Sequence, residues 1–241
     1  MKDRFTLALS AAALVSAGLV AACSSDATHP NEIANTRFVN ASASTASISA
    51  TNEGRNVANG LNFQNTNAPS GCSTVEHGND EEIKFTLGTG NTGLGSIKAP
   101  FAAKANYSVV FYAPNTIAVY PDVFSAPPSG QNAIRFINAT GSAGDVYLTA
   151  PNDQILVTTS PTISNLANNQ VSGFNSSSAT GGTFVNYDQS RTRVRLFNVG
   201  SQINPRADFT IAQIAANHVG TVVLTPSANG KTGFVVSVCG S

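Results

Sequence analysis

Two stretches of the chain carry residue types that could bind a cofactor. Gly88-Thr89-Gly90-Asn91-Thr92-Gly93 matches the G-x-G-x-x-G pattern of dinucleotide-binding loops, and His77 precedes the oxygen-rich run Asn79-Asp80-Glu81-Glu82. A dinucleotide loop needs a strand before it and a helix after it, whereas the residues around this one favour a glycine-rich hairpin. The acidic run lacks the alternating oxygen ligands of a calcium loop, which favours a solvated loop. We therefore predict no nucleotide, no metal and no cofactor at these positions.

Nucleophilic and metal catalysis have no supporting pattern either. The chain has many serines but no G-x-S-x-G turn, and His29, His77 and His218 are too dispersed to form a zinc-binding pair. We therefore predict that the protein is not an enzyme.

Three arginines form the remaining candidate site. Arg191, Arg193 and Arg195 alternate, so on a strand they would share one face, opposite Val194 and Leu196. Such a ridge could bind an anion or a protein partner, and the alternative is the solvated outer face of a sandwich. We name these three residues as candidate partner-binding residues.

The first 22 residues have the organisation of an export signal. Lys2 and Arg4 precede an uncharged apolar run from Phe5 to Val20, which is short for a membrane-spanning helix and ends in small residues. The sequence therefore predicts a signal peptide over residues 1–22.

The end of this segment resembles the lipobox of bacterial lipoproteins. In Val20-Ala21-Ala22-Cys23, small residues precede the cysteine that such proteins modify with diacylglycerol. The resemblance implies a covalent lipid on Cys23 and a flexible polar tether over residues 23–33. Because Ser24 follows the cysteine, the sorting rule of these proteins favours the outer membrane in a host with two membranes. We expect a cell-envelope location, with the membrane reached through the lipid.

Composition bounds the partners of the exported part. Removing residues 1–22 from the 241-residue chain leaves 219 residues, enough for one large or two ordinary domains. Removing Lys2, Asp3 and Arg4 from the 13 basic and 13 acidic residues leaves 11 and 12, so the exported part is almost neutral. Nucleic-acid binding depends on clustered Lys and Arg, and we therefore predict no nucleic-acid partner.

Cys72 and Cys239 remain once Cys23 carries lipid. Two cysteines in an oxidising compartment favour a disulfide, and the alternative is two free buried thiols. In the chain-entropy model a bond closing so long a loop stabilises by about 5 kcal/mol, less any native strain. It would tie the first half of the chain to its last strand.

An internal repeat organises the exported part. Thr36-Arg37-Phe38-Val39-Asn40-Ala41-Ser42 recurs 98 residues later as Ile134-Arg135-Phe136-Ile137-Asn138-Ala139-Thr140. The offset then grows to 111 and 113, as loop insertions in the second copy would cause. The later matches pair Ile83–Leu87 with Val194–Asn198 and Tyr107–Phe111 with Gly220–Leu224. Asn40 and Asn138 open formal glycosylation sequons, but we expect them to satisfy backbone groups where a strand meets a corner.

Each copy has the pattern of an all-β fold. Short segments rich in Val, Ile, Phe, Tyr and Thr are separated by Gly, Pro and Asn clusters, which favours a β-sandwich. Val109-Val110-Phe111 is a continuous apolar run, as expected of a strand covered on both faces. Only Asp208–Asn217 could form a helix, and its β-branched residues argue against one. The predicted boundaries are a first repeat over residues 34–125, a proline-stiffened linker over residues 126–131 and a second repeat over residues 132–241.

The repeated motif resembles the DUF4397 family of exported bacterial proteins. Its Arg-hydrophobe-hydrophobe-Asn-Ala-Ser/Thr opening occurs in both copies, and the similarity covers roughly residues 34–241. The second copy continues with Asp145-Val146-Tyr147, where the first has Ser47-Ile48-Ser49, and neither copy has the Pro-Asp that often follows the opening. The resemblance implies two tandem immunoglobulin-like β-sandwich domains, and it supplies no catalytic residues.

These observations favour a non-catalytic, lipid-anchored envelope protein. We expect a structural or protein-binding accessory module that has a protein partner in the envelope and could be a subunit of a larger membrane assembly. The alternative is a surface lipoprotein that binds a glycan or a small ligand, which the absence of Trp and the presence of only five Tyr disfavour.

Overall fold

In the part of the chain that the structure describes, the fold is built from β-strands joined by turns and loops. The computed structural model describes residues 32–66, 72–113, 116–172, 182, 184–211, 217–228 and 231–240. Every regular element in these ranges is a β-strand, which confirms the predicted all-β class. No helix in these ranges has the length and apolar character needed to cross a membrane. The predicted signal peptide, Cys23 and nearly all of the predicted tether lie outside the described residues.

Among the described residues, each repeat contains nine strands. Those of the first repeat are β1 (Ile33–Asn40), β2 (Ser47–Asn52), β3 (Arg55–Asn62), β4 (Asn65–Thr66), β5 (Ser73–Glu76), β6 (Gly78–Leu87), β7 (Gly93–Phe101), β8 (Asn106–Ala113) and β9 (Thr116–Pro121). Those of the second are β10 (Gln131–Asn138), β11 (Gly144–Thr149), β12 (Ile163–Leu166), β13 (Gln170–Val171), β14 (Val185–Asp188), β15 (Arg193–Asn198), β16 (Ala207–Thr210), β17 (Val219–Ala228) and β18 (Lys231–Ser237). Strands β1 and β10 each begin one residue before the predicted repeat boundary.

The two repeats have the same strand connectivity. Each repeat has two sheets; we call the one that faces the other repeat the inner sheet and the other one the outer sheet. In the first repeat the inner sheet has the order β4-β1-β8-β9, with β5 also on β1, and the outer sheet has the order β3-β2-β6-β7. In the second repeat the inner sheet is β13-β10-β17-β18, with β14 also on β10, and the outer sheet is β12-β11-β15-β16. In each inner sheet the first strand pairs in parallel with the eighth, β1 with β8 and β10 with β17. The equivalences predicted from the repeat, β6 with β15 and β8 with β17, are therefore confirmed.

Alternate residues of the inner strands face different cores. Phe38 is buried between the two sheets of the first repeat, whereas its neighbour Val39 belongs to an apolar cluster that both repeats share. Phe136 and Ile137 divide in the same way in the second repeat. The two inner sheets therefore pack against each other. This packing explains the continuous apolar run at residues 109–111, since Val110 faces the shared cluster and its neighbours face the core of the first repeat.

A buried ion pair crosses the contact between the repeats. Arg135 of β10 donates from Nη2 to Asp122 Oδ1, and the side chains of both residues are fully buried. The same nitrogen donates to Ser108 Oγ at 2.9 Å, and Nε donates to Thr221 Oγ1 at 2.9 Å. Burial raises the pKa of the Asp122 carboxyl, and the Arg135 guanidinium opposes that rise. Arg135, the arginine of the second repeat motif, therefore joins the second repeat to the first.

The asparagine of each repeat motif fixes a corner, as predicted. Asn40 Nδ2 donates to Leu61 O at 3.0 Å, and its Oδ1 accepts from Ser42 N at 3.1 Å. Asn138 Nδ2 donates to Leu166 O at 2.8 Å in the second repeat. Both side chains are fully buried, which is the physical reason that they must be hydrogen-bonded.

The connection between the repeats is packed onto the second repeat. Strand β9 ends at Pro121 and β10 begins at Gln131, so the last residue of the predicted linker belongs to a strand. Before that linker begins, the ring of Phe124 lies 5.8 Å from that of Phe184, centroid to centroid.

Cys72 and Cys239 form a disulfide, which confirms that prediction. Residues Asn31–Ser241 accordingly form one compact unit.

Candidate protein-binding loops

The stretches that could bind a cofactor belong to one β-hairpin. Strand β6 ends at Leu87 and β7 begins at Gly93, so the glycine-rich pattern is a hairpin turn, as predicted. The prediction of a loop at residues 79–82 is wrong, because these residues lie within β6. There Lys98 Nζ lies 2.8 Å from Asp80 Oδ2, so the acidic run pairs with the next strand. Among the described residues, no three His, Cys, Asp or Glu side chains are grouped to hold a metal.

The three arginines predicted to form one face are divided by the structure. Arg191 is exposed and precedes β15, so it does not lie on the strand, as the prediction assumed. Arg193 and Arg195 do lie on β15, opposite the buried Val194. Their guanidinium groups form hydrogen bonds within the chain, so these two arginines hold a neighbouring loop instead of forming a free surface for a partner.

Arg193 and Arg195 hold the beginning of the loop between β11 and β12. Arg193 Nη1 donates to Pro151 O at 3.0 Å. Arg195 is only 7% exposed, and its Nη2 donates to Thr149 Oγ1 at 2.6 Å and to Asp153 O at 2.9 Å. The outer sheet therefore positions this loop through two charged side chains.

Two loops of the second repeat carry an unusual amount of exposed apolar surface. They are loop 150–162, between β11 and β12, and loop 199–206, between β15 and β16. Their exposed aliphatic side chains are Leu156 (59% exposed), Val157 (94%), Val199 (51%) and Ile203 (75%). Four of the eight exposed large apolar side chains of the described residues lie on these two loops, and such a concentration indicates a contact site. We take these two loops as the candidate functional site.

Asp145 of β11 binds loop 199–206 and the neighbouring strand β12. Its carboxylate is 6% exposed; Oδ1 accepts from Asn165 N and Oδ2 from Gly200 N, each at 2.7 Å. Asn165 follows loop 150–162 and has a φ of 49°, a left-handed conformation that asparagine tolerates better than most residues. Hydrogen bonds to an ionised acceptor are roughly twice as strong as neutral ones. One carboxylate therefore holds the start of loop 199–206 and the strand that follows loop 150–162.

A second contact joins the loops directly. Gln202 Nε2 donates to Thr159 O at 3.0 Å and to Tyr147 Oη at 3.1 Å. Within loop 150–162, Thr159 N donates to Leu156 O at 2.8 Å and closes a tight turn around Val157. The backbone that carries Leu156 and Val157 is therefore held in place before any partner binds, which lowers the entropy lost on binding.

The charged residues of these loops are turned toward their bases. Loop 150–162 contains one charged residue, Asp153, whose Oδ2 accepts from Ala150 N at 3.1 Å. Loop 199–206 contains one, Arg206, whose Nη2 donates to Ala143 O at 2.7 Å. Each charged side chain is therefore bound to backbone groups, and the exposed aliphatic side chains lie among uncharged polar residues.

The first repeat lacks this surface at the equivalent positions. Its corresponding connections are residues 53–54 and residues 88–92, which have two and five residues against thirteen and eight in the second repeat. Ser47 and Ser49 replace the aspartate and tyrosine that hold the loops in the second repeat. The Asp-Val-Tyr motif therefore occurs in the repeat with the longer loops, where Asp145 and Tyr147 bind residues of loop 199–206.

The sequence itself contains a signal for loop 150–162, apart from any motif. The repeat offset grows by 13 residues between the first and second matches, which locates an insertion in the second copy. That insertion contains the apolar run Ile155-Leu156-Val157. An apolar run inside an inserted loop has no sandwich core to face, so it indicates a surface contact.

Arg193 also controls the titration of Asp208, and this gives a test of the base of the site. Two hydrogen bonds, Nε to Oδ1 at 2.8 Å and Nη2 to Oδ2 at 2.7 Å, hold the pKa of the Asp208 carboxyl below its ordinary value. A depressed carboxyl pKa stabilises the fold above the unfolded pKa, and this contribution is lost as the pH falls through the folded pKa. We expect Arg193→Gln to raise the Asp208 pKa in an NMR titration, whereas Arg191→Gln should leave it unchanged. An unchanged value in Arg193→Gln would contradict the assigned pair.

The fold and the loops define an all-β protein of two packed sandwich repeats with an apolar loop surface on the second. No family model matches the chain, and no curated protein is significantly similar to it. One similar solved structure is the family CBM26 module CBMbc from Eubacterium rectale Amy13K, in complex with maltoheptaose. The match has 11% identity and a TM-score of 0.26, and it covers 85% of this chain and 96% of that chain. A likeness this weak carries no functional argument, so the function is inferred from the loops.

Proposed function

We propose that this chain is a non-catalytic, lipid-anchored envelope protein that binds a protein partner through loops 150–162 and 199–206. The observation that supports the proposal is the set of four exposed aliphatic side chains on two loops that the hydrogen bond from Gln202 to Thr159 O joins. Exposed apolar surface is costly in water and is covered in a complex. Fixed loops on a rigid scaffold are a common way to present such surface.

The chemistry of the surface favours a protein over a glycan. Sugar rings are commonly bound on aromatic faces, but the exposed large apolar side chains of the described residues are all Ile, Leu or Val. The chain also contains no Trp. Aliphatic groups without nearby unpaired charge suit a dry apolar recess in another protein.

The anchor belongs to the same proposal. Lipid on Cys23 would hold the repeats at a membrane surface, in the outer membrane of a host with two membranes, and the DUF4397 resemblance of the repeats agrees with an envelope setting. Confinement to a membrane raises the effective concentration of a partner in the same membrane. A loop surface of modest size is then sufficient for stable association.

Replacing Leu156, Val157, Val199 and Ile203 together by serine should weaken partner binding at least about 100-fold, equivalent to about 3 kcal/mol. The partner is first captured by the wild-type chain from detergent-solubilised membranes, identified, and titrated against both purified proteins. Leu87→Ser is the matched control, because Leu87 is an exposed aliphatic residue of the first repeat. Full binding by the folded quadruple variant would contradict the site. Recovery of the wild-type chain without any stoichiometric protein, or binding only to a glycan array, would contradict the function.

A further inference from the structure

The disulfide between the repeats has one sheltered end and one accessible end. Cys239 is 1% exposed and follows Val238, which lies in a buried apolar cluster. Cys72 is only half-buried and lines a cleft of about 300 Å³. A small nucleophile that enters the cleft therefore meets Cys72 before Cys239.

An arginine supplies positive charge at the same cleft. Arg55 lines it, and its Nη2 donates to Thr74 O at 3.1 Å, which holds the guanidinium beside the beginning of β5. The other lining residues are uncharged: Asn56, Val57, Ser73 and Thr74. The reacting form in thiol–disulfide exchange is the anionic thiolate, which a fixed guanidinium attracts. The cleft thus combines a partly exposed cysteine with a charge that favours the attacking group.

We infer that Cys72 is the site at which an external dithiol exchanges with this disulfide in the folded protein. The attacking thiolate forms a bond to Cys72 Sγ, the bond to Cys239 breaks, and Cys239 leaves with the electron pair and takes a proton from water. The second thiol of the dithiol then attacks its own partner sulfur and releases Cys72 as a thiolate. The dithiol loses two electrons and the protein gains them, so the step is balanced.

Access decides which sulfur reacts. Burial in apolar surroundings makes Cys239 a poorer leaving group, because it disfavours the thiolate. Attack on Cys239, however, would first require opening of the protein around a nearly inaccessible residue. Exchange through Cys72 needs no such opening. After reduction, the repeats would remain joined by the shared apolar cluster and by the connecting chain.

The test uses the mature chain carrying Cys23→Ser, so that Cys72 and Cys239 are its only sulfur pair. The oxidised protein is treated with glutathione, an anionic thiol, and with cysteamine, a cationic thiol; the adducts are trapped and located by mass spectrometry. We expect the mixed disulfide on Cys72, at a rate that low denaturant does not change. Arg55→Gln should slow glutathione about fivefold relative to cysteamine, and the exposed Arg191→Gln should not.

Three results would overturn the inference. An adduct on Cys239 would show that the external thiol attacks Cys239 and not Cys72. A rate that follows global unfolding as denaturant increases would show that the folded protein does not exchange. An unchanged ratio of the two thiol rates in Arg55→Gln would remove the arginine from the site. None of these outcomes bears on loops 150–162 and 199–206.

Discussion

Replacing Asp122 by alanine is expected to lower the free energy of unfolding by about 3–5 kcal/mol. The substitution leaves the Arg135 guanidinium, which is fully buried between the repeats, without its carboxylate. Arg37, the equivalent arginine of the first repeat, is also buried and interacts electrostatically with Asp122. Since a domain is stabilised by only about 5–15 kcal/mol, the loss should be visible in urea unfolding with the disulfide intact.

Two further variants show whether the buried pair causes this loss. Asp80→Ala removes a carboxylate from an exposed pair with Lys98, and it should leave the free energy of unfolding almost unchanged. Replacing both buried partners, Asp122→Leu with Arg135→Met, should recover part of the stability, because the Arg135 charge is removed together with its carboxylate. A change in Asp122→Ala as small as that in Asp80→Ala would contradict the role of the pair.

Cys23→Ser should move the protein from the membrane fraction to the soluble fraction almost completely. Each buried methylene of an acyl chain contributes about 0.8 kcal/mol to membrane association, so losing all lipid chains removes far more energy than any loop contact supplies. Metabolic labelling with a lipid precursor, followed by fractionation, measures both effects in one experiment. Cys72→Ser is the matched control, since it removes a cysteine of the disulfide and should keep the lipid label. Unchanged membrane retention in Cys23→Ser would contradict the anchor.

The repeat and the all-β class could be predicted because both depend on local patterns. The recurrence of the Arg37 and Arg135 motifs located the same strand in each copy, and strand connectivity followed the repeat. The corner role of Asn40 and Asn138 was predictable because a short amide side chain beside a turn satisfies nearby backbone groups. Even the double burial of the inner strands was visible in the run at residues 109–111.

The contacts between distant residues could not be predicted. The apolar run showed that an inner strand is covered on both sides, but not that the covering layer is the other repeat. Pairing of Arg135 with Asp122 depends on the path of the connection between the repeats, which no local pattern specifies. Arg193 and Arg195 were predicted to face a partner, since alternation shows a shared face but not the loop that folds back onto it. The hydrogen bond from Gly200 N, in loop 199–206, to Asp145 is likewise a contact between residues that are distant in the sequence.

Photo-crosslinking from position 157 tests the central proposal most directly. A photoreactive residue replaces Val157 in the lipidated chain, and a second version carries it at Leu87, the exposed aliphatic position of the first repeat. After irradiation of intact cells, we expect one discrete protein adduct from position 157 and none from position 87. Absence of an adduct from position 157, or the same adducts from both positions, would contradict the assignment of loops 150–162 and 199–206 as the partner-binding surface.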